Sequence, residues 1–215
     1  MNSYIREPIN GLTHLAGALL SFAGLLALVI KASITTGSPQ TITSVTIFGL
    51  SMILLYTASA TYHMVISRPS IIAFLRKLDH SMIFVLIAGT YAPFCLISLN
   101  GTTGWLLFGI ITVAALSGIL FKMIWFRSPR WLSTSIYLIM GWIMVFAIAP
   151  LSSIVSPGGI YALVAGGIFY TIGGVIYAFK PNFLRSKYLG FHEIFHIFIL
   201  LGTLSHFISV YFYVI

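Results

Sequence analysis

Carboxylates are almost missing from this chain: Glu7, Asp79 and Glu193 are the only three acidic residues among 215, against 11 Lys and Arg. Charged residues of both signs make up 7% of the sequence, while 59% is hydrophobic. So little polar surface cannot cover a water-soluble globule, and the solvent must be lipid. Cysteine is equally scarce. Cys95 stands alone inside an apolar run, which excludes an internal disulfide framework and leaves it a packing residue. No polar stretch is long enough for a separate soluble domain, and no internal repeat marks the chain as an inverted-repeat transporter. Nor does a short apolar core followed by a cleavage site open the chain, so the first apolar run is expected to be retained. The sequence therefore reads as a single membrane domain, 1–215.

What is abundant is apolar sequence in runs of spanning length. They fall at 12–34, 42–64, 78–99, 104–124, 131–152, 158–179 and 190–213, each close to the roughly 20 residues that one bilayer crossing takes. They predict an all-α, polytopic seven-transmembrane helix bundle. The breaks have turn chemistry: Gly37-Ser38-Pro39, Arg68-Pro69, Asn100-Gly101, Ser128-Pro129, Ser156-Pro157-Gly158 and Lys180-Pro181-Asn182. Small residues at helical spacing, Gly158, Ala162 and Gly166, then Gly173 and Gly174, suit close helix packing in the sixth run.

The net charge of +8 is a matter of placement. Arg6, Arg68, Arg76, Lys77, Lys122, Arg127, Arg130, Lys180, Arg185 and Lys187 fall on one side of the bundle, and only Lys31 on the other. Basic residues are retained in short cytoplasmic loops, so the N-terminus is expected inside and the C-terminus outside. An odd number of helices agrees with that, whereas six helices with a re-entrant run would break the pattern. The basic charge is thus a topological signal, and no nucleic-acid partner is expected.

Ionisable groups inside spanning helices are costly and carry a functional prior. Ser59 and His63 are four apart near the inner end of helix two, Asp79 opens helix three, and His192 and His196 are four apart at the inner start of helix seven. Each i, i+4 pair shares a helix face. His63 comes just before Arg68 and His192 just after Lys187, and one turn deeper, by about 6 Å, Ser59 and His196 are level. Taken singly, each histidine could merely hydrogen-bond a neighbouring helix. Together, if helices two and seven are neighbours, three imidazoles converge in one layer with a fourth tetrahedral position open, the arrangement of catalytic zinc. Imidazoles without a thiol, haem or cluster motif favour zinc over redox metals.

His14, at a similar inner depth, is a further site candidate, while His80 points about 100° away from Asp79 along the helix. His206 is roughly 20 Å farther along helix seven than His192. Those last two read as packing or hydrogen-bonding histidines. His192-Glu193-Ile194-Phe195-His196 also fits the H-E-x-x-H pattern of zinc proteases, in which the glutamate is the general base. With His63 as third ligand and Asp79 as a nearby carboxylate, Glu193 is not required, but an intramembrane metalloprotease stays open as an alternative.

Four segments, in order over nearly the whole chain, carry a family resemblance. They are Glu7-Pro8-Ile9-Asn10-Gly11-Leu12-Thr13-His14, Ser59-x-x-x-His63, Leu78-Asp79-His80 running on to Ala88-Gly89-Thr90-Tyr91-Ala92-Pro93-Phe94, and Phe191-His192-Glu193-Ile194-Phe195-His196. The chain resembles the bacterial hemolysin III proteins of the progestin and adiponectin receptor family. The resemblance implies a seven-helix fold in the bacterial cytoplasmic (inner) membrane, with zinc held at His63, His192 and His196 and the motif serine and aspartate at Ser59 and Asp79. Alkaline ceramidases share that constellation, and in receptor members the position of Glu193 need not be acidic. The long N-terminal extension of the animal receptors is absent, so activity as a protein-hormone receptor is not expected. The expected function is membrane lipid homeostasis through zinc-dependent hydrolysis of a lipid amide or ester, with membrane lipids as substrate or ligand. Its alternatives are a non-enzymatic membrane-fluidity regulator with structural zinc, hemolysin-like cytolysis, and the protease.

Overall fold

A computed structural model describes residues 4–181, 184, 186 and 189–215. Among them are helices and no strand. Seven helices are long and apolar enough to cross a membrane: Pro8–Thr35, Pro39–Met64, Pro69–Leu99, Gly101–Ile124, Arg130–Ser152, Pro157–Phe179 and Phe191–Val214. They are numbered here one to seven. The chain is a multi-pass membrane protein with the helix count that its apolar runs predict. Asn182, Arg185 and Lys187, used above for the sixth break and for part of the charge pattern, lie outside the described residues.

The helix starts differ from the apolar runs for a local reason. Helices one, two, three and six open on a proline, whose missing N–H is harmless in a first turn and whose fixed φ suits it. A hydropathy reading stops at charge, but a helix does not. Helix three therefore begins at Pro69 rather than 78 and carries Arg76 and Lys77 within it. Asp79, expected to open that helix, lies nearly three turns inside it, about 15 Å from its start. Helix one likewise begins at Pro8 rather than 12, which brings Asn10 into its first turn.

Helices two and three form the centre, with 56% and 61% of their most apolar windows buried, against 22–28% for the other five. Phe48 and Tyr56 from helix two and Phe84 and Phe94 from helix three are essentially sealed from solvent. Lipid tails give apolar helix faces no preference for one another, so close approach at small residues carries the packing. A Cβ on Gly89 would collide with Ser51 Oγ, and one on Gly166 with the His206 ring. Helix one packs against both helix two and helix seven, which share little direct backbone contact. The fourth and fifth helices also touch only sparsely.

Helix five is broken at membrane depth. Its α-helical part ends at Trp142, a tighter 3₁₀ stretch covers Ile143–Ala147, and α-helix resumes at Ile148–Ser152. Pro150 has no N–H to offer the carbonyl four residues back and crowds it. Backbone freed in lipid must find another partner. Farther up, where the helix tightens after Trp142, the Tyr91 hydroxyl of helix three is such a partner, sharing its one proton between the Met140 and Gly141 carbonyls and accepting from the Met144 N–H, each at 2.8 Å.

Candidate metal centre

The last carbonyls of any helix lack intrahelical donors. For helix two, the segment before helix one provides them. The Glu7 N–H donates to His63 O at 3.0 Å and the Arg6 N–H to Met64 O at 3.4 Å. Arg6 Nη2 donates to Tyr62 O at 2.5 Å, with its guanidinium 4.2 Å from the centre of the Tyr62 ring. This clamp delivers the Glu7 carboxylate to His63, Oε2 to Nδ1, at 2.5 Å.

That contact fixes the imidazole. A carboxylate can only accept, so Nδ1 is the donor, and in the neutral imidazole that assigns the lone pair to Nε2. His63, 1% exposed, points Nε2 toward His192 Nε2 at 3.3 Å. His196 completes the group from one turn further along helix seven, its ring 4.9 Å from that of His63 and 4.6 Å from that of His192. One nitrogen from each of the three lies within 4.8 Å of the others. Two nitrogens on one tetrahedral zinc, at about 2.1 Å each, stand about 3.4 Å apart. The donor set and the His63–His192 spacing therefore fit a zinc ion. Among the described residues, the buried Nδ1 of His196 has no hydrogen-bond partner.

The cluster sits between two spaces. Toward the membrane interior lies a largely apolar cavity onto which His192, His196, Ser59 and Asp79 open. On the basic side lies a more open mouth onto which Glu7, His63 and His192 open. Asp79 is buried, with one carboxylate oxygen 3.3 Å from His80 Nδ1. It lies within electrostatic reach of His63 and His192. Ser59 Oγ stands beside Asp79 without a well-formed hydrogen bond to any described residue.

The remaining candidates separate cleanly. His14 stacks flat on His196, ring centres 3.6 Å apart at 12°, and so presents its face rather than a lone pair. His80 does not turn away from Asp79, as its helical angle suggests; its side-chain torsions bring it back to the carboxylate. Its Nε2 also meets Tyr177 Oη at 3.1 Å. His206 Nε2 donates to Leu163 O at 3.2 Å, a helix-packing contact. Glu193 is occupied on both oxygens, accepting from the Gly190 N–H and from Asn10 Nδ2, each at 2.8 Å. It caps helix seven and ties it to helix one.

Sequence reasoning gave no role to Glu7 or Asn10. Their signal was present: a carboxylate immediately before a helix-opening proline, in a chain with only three carboxylates, has to find a partner.

Fold and site together define a class: a seven-helix membrane protein with a buried three-histidine cluster at the basic end of the bundle. Residues 2–207 match the family described as Haemolysin-III related, and the chain belongs to it. It is 41% identical over 216 residues to a protein named Hemolysin-3 from Bacillus cereus, covering 100% of this chain and 95% of that one. It is also 42% identical over 210 residues to a Hemolysin-3 homolog of Bacillus subtilis (strain 168), covering 97% and 95%.

Proposed function

We propose that this protein binds zinc through His63, His192 and His196 and hydrolyses an amide or ester bond of a membrane lipid. In this reading it lies in the bacterial cytoplasmic membrane, its basic end inside. One observation carries the reading: three ligating nitrogens within 4.8 Å of one another, at the end of an apolar cavity that also exposes Asp79 and Ser59. An acyl chain enters such a cavity from the bilayer, whereas a soluble peptide does not.

Zinc at this position supplies Lewis acidity to a water and to the substrate carbonyl. The protein's own groups do the rest. Asp79, held on one side by His80, takes the proton of the attacking water and returns it to the leaving amine or alkoxide. The Ser59 hydroxyl donates to the oxygen on which negative charge develops. Glu7 holds the His63 ring in its ligating tautomer. Both Glu193 oxygens are engaged in capping helix seven and bracing helix one, which argues against the protease reading.

A second reading, a fluidity regulator with structural zinc, draws on the same centre. Glu7, Asn10 and Glu193 tie helices one, two and seven together there, so an ion would also brace the bundle. The names of the Bacillus relatives raise a third, lysis of red cells, measured by haemoglobin release.

In nanodiscs containing ceramide-type amides and ester lipids, wild-type protein releases fatty acid, the release stops on chelation, and zinc restores it. A protein that carries zinc and releases none supports the regulator. Lipid profiles of membranes with and without the protein name the substrate. Glu7→Ala leaves the backbone clamp in place but weakens zinc binding by about 10- to 100-fold in competition with a chromophoric chelator. Unchanged affinity would leave Glu7 as a helix cap only.

A further inference from the structure

The basic end of the bundle contains more positive charge than its carboxylates can answer. Glu7 is engaged by Arg6 and His63, Asp79 by His80, and Glu193 by Asn10 and the Gly190 N–H. No other acidic side chain exists in the sequence. Arg76, Lys122 and Arg130 therefore have no carboxylate partner, yet all three open on the internal cavity. Arg76 and Arg130 also border the mouth on the far side of the histidines.

Lys122 is 3% exposed. It donates to Ser128 Oγ at 3.1 Å and to Ser133 Oγ, and these two hydroxyls bond each other at 3.1 Å. An ammonium has three protons, so one is left over. Arg76 and Lys122 flank the same ring, 5.2 and 5.8 Å from the centre of Phe126, close enough to repel each other. Arg130 lies 5.2 Å from the Tyr177 ring centre, and its buried Nη1 has no hydrogen-bond partner among the described residues. Membrane orientation requires cations near this face, but it does not require Lys122 to be buried against two serines or the half-buried Arg76 and Arg130 to be turned into a cavity. Burying such charge without a counter-ion is unfavourable, and an anion relieves it.

We propose that Arg76, Lys122 and Arg130, with Ser128 and Ser133, form a binding site for the phosphate of an anionic lipid. Guanidinium and ammonium groups suit a phosphate, with Arg offering paired N–H donors. The apolar continuation of the cavity takes an acyl chain, and the sparse contact between helices four and five gives it a way in from the bilayer. The site uses none of the three histidines, so it stands whether or not they bind metal.

Delipidated protein is titrated with phosphatidylglycerol, phosphatidylcholine and inorganic phosphate, and bound lipid is counted by native mass spectrometry. Wild type prefers phosphatidylglycerol over phosphatidylcholine by about tenfold or more, the scale of one or two charge-assisted hydrogen bonds. Lys122→Gln and Arg76→Gln each weaken phosphatidylglycerol binding by about tenfold, Lys122→Arg retains it, and Arg127→Gln, on an exposed residue of the same face, leaves it unchanged. Chelation and His63→Ala also leave it unchanged, which separates this site from the metal centre. Equal affinity for the two lipids in wild type overturns the proposal without any variant having to fold. Inorganic phosphate binding as tightly as the lipid would overturn the lipid assignment.

Discussion

His63→Ala purifies with intact helices and without stoichiometric zinc, whereas wild type holds about one ion per chain. The effect is large because each imidazole is one of three proposed ligands, and no ring nearby is placed to replace it. His14 is the closest ring, but it lies flat on His196 at 3.6 Å. Loss of a ligand lowers affinity by at least on the order of 10². It also leaves the Glu7 carboxylate without its imidazole partner. His192→Ala and His196→Ala behave in the same way, and His14→Ala and His80→Ala keep the metal. Elemental analysis reads this directly. Thermal unfolding gives an independent readout: an ion that binds only the folded state raises the melting temperature, so chelation lowers it in wild type and has no effect in His63→Ala. Full zinc occupancy in both His63→Ala and His192→Ala would remove the proposed site.

The two levels of structure were legible to different degrees, for physical reasons. Helix number was written in the apolar runs, since a bilayer sets a minimum length that 215 residues at 59% hydrophobicity meet seven times. Helix starts were not, because hydropathy registers solvent while proline registers backbone geometry. Pro69 opens helix three well before its apolar part, which places Asp79 in mid-helix. The meeting of His63 with His192 and His196 followed from depth, a quantity that helix rise fixes along each chain segment. Its actual support was hidden, since the backbones of helices two and seven stand apart with helix one packed against both, and they meet through long side chains such as Tyr56, which donates to Thr203 Oγ1 at 2.6 Å. Glu7 reaches His63 only because the segment ahead of helix one satisfies the end of helix two, and no periodicity encodes such a docking. For His80, helical angle fixed the direction of its Cβ, but two free torsions carried the ring back to Asp79.

Asp79→Asn keeps both the metal and the fold and loses lipid hydrolysis, by about 10² to 10⁴ in kcat with little change in KM. Asparagine has the same shape and keeps an oxygen beside His80, whose Nδ1 stays anchored on the Arg76 carbonyl at 2.8 Å, so the packing around position 79 survives. What it cannot do is take a proton from water and hand it to a leaving group. Ser59→Ala, which removes a donor near the developing charge, loses about 10- to 1000-fold in kcat, again with zinc retained. Glu193→Gln is the contrast. Its carboxylate is committed to the Gly190 N–H and Asn10, and glutamine can still accept one of those bonds, so the variant keeps its hydrolysis while losing some stability. A protease of the H-E-x-x-H type reverses the order, with Glu193→Gln inactive and Asp79→Asn active. Wild-type hydrolysis persisting undiminished in Asp79→Asn would place the proton transfer elsewhere. Zinc-loaded wild type with no hydrolysis at all would instead leave Asp79 bracing a structural ion, and its substitution would then alter melting temperature alone.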